Sequence, residues 1–171
     1  MSNYSRTVDT VGAVRKVRYG GYEANLHLAL SLARNSVFVA AKGARLSDPT
    51  VNKLIVVVTD NPSADKSATL REAALVRDAG IGLVTIGVGT YLDRYELSAV
   101  ASFPYTRNMF TINTVRNLTE HSDKVKRIIC GGPSRFIRRY GCPLLLLYKF
   151  CNEKIGSLVE FYYSMCSVKG G

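Results

Sequence analysis

The chain has no cysteine before Cys130, only two histidines, and no apolar run near the roughly 18 residues a membrane-crossing helix needs. Its longest leucine run, Leu144 to Leu147, is far too short, so no membrane span is expected. The N-terminus, MSNYSRTVDT, lacks an apolar core segment, so no secretory signal is expected in the chain as given. Cys130, Cys142, Cys151 and Cys166 match no zinc or Cys-x-x-Cys spacing, which leaves disulfides and buried thiols open. Acidic residues are scarce: 13 against 23 lysines and arginines, for a formal charge of +10. Such an excess suits nucleic acid, sulfated polysaccharide or anionic membrane, and equally a soluble protein that is simply basic. No RNA- or DNA-reading motif accompanies the charge, so no nucleic-acid partner is expected. Catalytic constellations are missing too. His27 and His121 stand isolated from any Ser, Cys or carboxylate set, and read as surface or satisfied helix histidines. No internal repeat or low-complexity tract is present.

What remains is a chain of 171 residues with 47% apolar content, enough for one ordinary globular domain or a domain with an appendage. Val8, Val11, Val14 and Val17 recur about every three residues and predict an amphipathic helix ending near Tyr19-Gly20-Gly21. A second helix is expected over residues 23–40, with Leu26, Leu30, Ala33 and Val37 on one face. Residues 42–52, with Gly43 and Pro49, read as a loop.

The stretch KLIVVVTDNPSADKS, Lys53 to Ser67, is more telling. Residues 54–58 have the length and β-branching of a strand buried on both faces, the mark of a parallel sheet. A helix over 67–79 closes at Gly80. A strand over 81–88, a short helix over 93–101, a strand over 108–112 and a helix over 115–129 follow. Strands alternating with helices predict an α/β fold with a doubly wound, mostly parallel Rossmann-like sheet. In such sheets function sits at the carboxyl ends of the strands. Asp60 occupies such an end, where water or a cation can solvate its charge. After Cys130-Gly131-Gly132 the chain turns basic, aromatic and aperiodic, so 1–132 reads as the domain and 133–171 as a cysteine-containing tail of unassigned structure.

The order of motifs carries more than any one of them. KLIVVVTDNPSAD, ALVRDAGIGLVTIGVG, YELSAVASFP, NMFTI and IICGG, in that sequence, resemble the von Willebrand factor A domain in its extracellular-matrix branch, the matrilin and collagen VI type. The likeness covers about residues 5–132. It implies a non-enzymatic protein-binding or adhesion module, extracellular, with collagen or other matrix components as partners. It also implies that 54–58 lies beside 81–88, and 81–88 beside 108–112.

Departures from the family pattern bear on the metal-ion-dependent adhesion site that many of these domains carry. The family's first strand with its Asp-x-Ser-x-Ser loop is absent, so the chain reads as N-terminally incomplete. The family's second motif, a Thr, should fall within residues 22–27, and YEANLH has neither Thr nor Ser. Only the third survives, as Asp60, with Asn61 in place of the usual Gly. A hard cation needs oxygens from all three loops. Asp60 is therefore expected to be vestigial, and no Mg²⁺ or other divalent cofactor is expected. The resemblance also places a domain-closing cysteine at Cys130, whose usual partner lies outside this sequence. Asn3 and Asn117 satisfy the glycosylation sequon. Arg135, Arg138 and Arg139 with Tyr140 read as a solvated basic segment. An edge of 54–58 left bare by the missing strand, unless the tail covers it, would favour self-association. The alternative function is a nucleotide-binding α/β enzyme in which the glycines of IGVGT cradle phosphate.

Overall fold

The computed structural model describes residues 24–42, 44, 47–48 and 53–114, together with the backbone of 144–149. The helices expected over 8–17 and 115–129, and Asn3, Asn117, His121, Cys130, Arg135, Arg138 and Arg139, lie outside the described residues.

Among the described residues four strands form one parallel sheet in the order β3-β2-β1-β4: β1 Leu54–Thr59, β2 Gly82–Val88, β3 Met109–Ile112 and β4 Leu144–Lys149. The register pairs Leu54 with Gly82 through Thr59 with Gly87, and Thr85 with Met109 through Val88 with Ile112. The three-strand order expected from the motifs is the one observed. On its other side β1 is not bare: Leu54 pairs with Leu144 through Thr59 with Lys149. Part of the stretch read as an unassigned tail is thus a strand of the sheet. The run of four leucines suits this place beside β1, a central strand buried on both faces.

The helices arise from local chemistry. Helix α1, Leu26–Leu32, runs into a π-helical segment, Ala33–Val37, in which the Phe38 amide donates to the Ala33 carbonyl at 2.9 Å. One continuous helix over 23–40 was expected, with Val37 on the core face. The widened turn instead rotates that face by one residue, so Phe38 is buried and Val37 only half-buried. Helix α2, Lys66–Asp78, starts where the Asp65 carboxylate accepts from the Ala68 amide at 2.8 Å. It ends in a Schellman turn: Gly80 N–H donates to Arg77 O at 2.9 Å, and Ile81 N–H to Val76 O at 3.2 Å. Gly80 takes φ +72°, which suits glycine. Helix α3, Arg94–Val100, is capped by Asp93, whose carboxylate accepts from the Glu96 amide at 2.9 Å. A one-turn helix α4, Tyr105–Asn108, leads into β3.

Alternation along the strands divides the core. Ile55, Val57 and Leu83 join Leu30, Ala33, Ala73, Val76 and Val100 in one cluster under the helices. Val56, Val58, Val84 and Ile86, which alternate with them, are buried just as completely. Each fully buried side chain of this kind contributes about 1.5–3 kcal/mol of transfer free energy. Polar ties add orientation: Arg34 reaches from α1's extension to Glu72 at 3.1 Å, and Arg77 donates to the Ala99 and Val100 carbonyls at the end of α3.

Candidate functional site

Because β1 is parallel to its neighbours, Thr59 and Asp60 emerge at the carboxyl edge of the sheet, with Asp60 half-buried. The loop that follows is tightly held. The Thr59 hydroxyl donates to the Asn61 carbonyl at 2.8 Å and accepts from the Asn61 amide at 3.3 Å. The Ala64 amide donates to the Ala24 carbonyl at 2.9 Å, which ties the loop to the segment leading into α1. Ser63 is held from α3: its amide donates to Glu96 Oε2 at 3.1 Å and its hydroxyl donates to Glu96 Oε1. Glu96 itself is 3% exposed.

Lys66 and Asp93 form an ion pair at the rim. The hydrogen bond from Lys66, with the Glu96 amide second, holds the Asp93 carboxyl below its usual range. The same hydrogen bond to Asp93 raises the Lys66 ammonium above its own. Sequence reasoning singled out Asp60 and did not pair Ser63 with Glu96. The signal available was Asp93-x-x-Glu96, a helix-start pattern, but the Glu side chain turns to Ser63 rather than back to the cap.

A cavity of about 280 Å³ lies beneath this loop, between the start of α1, the end of β1 and α3. Leu26, Ala29, Val57, Leu97 and Val100 supply apolar walls, and Asn61, Ser63, Asp93 and Glu96 a polar one.

Among the described residues no three His, Cys, Asp or Glu side chains gather as a metal site. His27 is half-buried on α1, and its Nδ1 makes no hydrogen bond among the described residues.

The glycines of IGVGT serve packing and turning. A Cβ on Gly87 would sit 2.7 Å from the Cδ1 atoms of both Leu92 and Leu97, so the glycine lets α3 close on β2. Gly89 takes φ +102° and its amide donates to the Ile112 carbonyl at 2.8 Å. Helix α3 does not follow the glycines directly, and a carboxylate, Asp93, already occupies its N-terminus. That is where a phosphate would have to bind, and the charges would repel. No described helix is long and apolar enough to cross a membrane.

Comparison with known proteins agrees with this architecture. The von Willebrand factor type A domain matches over residues 1–124. Matrilin-2 of Mus musculus is 26% identical over 159 residues, covering 93% of this chain and 16% of that protein. Matrilin-4 of Mus musculus is 30% identical over 128 residues, covering 75% and 20%. The chain thus spans about a fifth or less of these relatives' length. Among solved structures, proximal thread matrix protein 1 from the mussel byssus superposes with a TM-score of 0.68 in its second crystal form, at 20% identity, over 75% of this chain and 33% of that one. With motif order, sheet order and the match over residues 1–124 in agreement, the chain belongs to the von Willebrand factor type A domain family.

Proposed function

We propose that the chain is a non-enzymatic protein-binding module of the extracellular matrix, and that it binds collagen or a similar matrix component without a metal ion. The observation that carries the reading is the loop from Asp60 to Lys66. It is pinned at Thr59, Ala64 and Ser63 while Ala64 to Ser67 stay exposed. A preorganised loop at the edge of a sheet loses little entropy when a partner docks. The matrilin relatives support the matrix assignment and the compartment.

The family's cation does not suit the residues present. Ala24 stands within the stretch where the family's hydroxyl ligand belongs, and no acidic cluster accompanies Asp60 among the described residues. One carboxylate gains little over water from a divalent ion, since unit charges about 4 Å apart in water interact by only about 1 kcal/mol. Asp60 thus marks the family's adhesion face without operating it. In an extracellular setting Asn117 and Asn3 are the glycosylation sites, and Cys130 is the disulfide-forming residue.

The test is binding of the chain to immobilised collagen with and without EDTA, beside calorimetry with magnesium, manganese and calcium. Saturable binding indifferent to chelation, with metal affinity about millimolar or weaker, is expected. Absence of collagen binding, or micromolar metal binding lost in Asp60→Ala, would overturn the reading.

A further inference from the structure

The adhesion reading uses the outer surface of the Asp60–Lys66 loop and leaves the cavity beneath it without a role. That cavity has an unusual charge. Among the described residues, Asp93 and Glu96 line it and no lysine or arginine does, in a chain whose formal charge is +10. Lys66, which pairs with Asp93, is not among the lining residues. Glu96 forms no ion pair among the described residues. Each of its oxygens accepts one hydrogen bond from Ser63. A carboxylate offers about four acceptor positions, so both oxygens keep capacity. Much of the remaining lining is hydrocarbon: Leu26, Ala29, Val57 and Leu97.

We propose that this cavity binds a small primary amine carried on an aromatic or branched apolar body. Size supports the class. An apolar cavity of about 150 Å³ takes a benzene ring, so about 280 Å³ accommodates a ring with a two-carbon arm. Chemistry supports it as well. An ammonium group brings three donors and no acceptor, matching a wall rich in carboxylate acceptors. The reduced dielectric of a mostly apolar cavity strengthens the attraction, and turns it into repulsion for an anion of the same shape. The site does not depend on the adhesion reading: Asn61, Pro62 and Ser63 of the loop line the cavity, whereas that reading uses the exposed Ala64 to Ser67.

The experiment is a fluorine NMR titration of the full chain with 4-fluorophenethylamine, and with 3-(4-fluorophenyl)propanoate as the matched anion. Saturable amine binding with a dissociation constant of about 1 mM or tighter is expected, and the anion should bind at least about tenfold more weakly. Methyl resonances of Leu26, Val57 and Leu97 should shift, which locates the ligand without any substitution. Ala29→Leu, which fills the floor, should weaken the amine about tenfold. Should that variant fail to fold by circular dichroism, Glu96→Gln should abolish the preference for amine over anion. No saturation, equal affinity for the anion, methyl shifts confined to other residues, or unchanged amine affinity in a folded Ala29→Leu would each overturn the proposal.

Discussion

Glu96 takes a carboxylate to a position where 3% of the residue meets solvent, and the Ser63 amide and hydroxyl are what make that tolerable. Removing the carboxylate would leave the Ser63 amide without its partner and free the loop from α3. Glu96→Ala should therefore destabilise by about 2–3 kcal/mol. Asp93→Asn should cost well under that, because asparagine caps a helix nearly as well as aspartate and the lost ion pair is largely solvated. Urea unfolding midpoints decide the order; a larger loss in Asp93→Asn would refute this account of the loop. The pH dependence separates the two further. Asp93 titrates below its ordinary range in the folded chain, so its contribution is complete above the unfolded carboxylate range, near pH 4, and is lost as pH falls through the lowered value. The stability gap between the parent chain and Asp93→Asn should accordingly shrink as pH falls below the ordinary carboxylate range. A gap that widens on acidification would contradict the assigned direction.

At the level of elements, two glycines make different demands. Gly80 has nothing within 4 Å of a built Cβ and φ of +72°, so Gly80→Ala strains only the backbone of the turn between α2 and β2. The expected cost is about 1–2 kcal/mol. Gly87 has ordinary backbone but meets Leu92 and Leu97. Gly87→Val must push α3 away from β2, against the hydrogen bond of 3.0 Å from the buried Thr85 hydroxyl to Leu97 O. Overpacking of this kind costs about 1–3 kcal/mol. The discriminating readout is local: hydrogen exchange should rise across α3 in Gly87→Val and not in Gly80→Ala. Uniform exchange changes in both would show that the α3 contact is not what requires Gly87.

For the whole molecule, the pairing of β4 with β1 decides how the sheet meets solvent. Residues Ile55 to Thr59 are buried on both faces, so an unpaired β1 edge would be an apolar template for other chains. The parent chain should therefore keep its β1 amides protected. A chain ending at residue 132 should lose that protection and self-associate. Light scattering after size exclusion, with exchange on β1, measures both. A truncated chain that stays monomeric with β1 amides still protected would mean that β4 is dispensable.

Much of this was legible in the residues. The β-branched run before Asp60, the second run before Gly89, and the order of the motifs specify parallel strands and their neighbours, because burial on both faces and helix punctuation are local properties of the chain. Gly80 as a helix stop is local as well. What the residues alone did not disclose depends on partners far away in the chain. The π-turn that exchanges Val37 for Phe38 breaks a periodicity that reads as one continuous helix. Glu96 reads as a helix-start residue until Ser63, 33 positions away, is placed against it. LLLL after a basic stretch looks like tail until β1 presents an edge that needs a parallel apolar strand. Periodicity and capping act within a few residues and so are written into sequence. Edge pairing, the buried carboxylate and the cavity beside it come from contacts that exist only once the chain has folded.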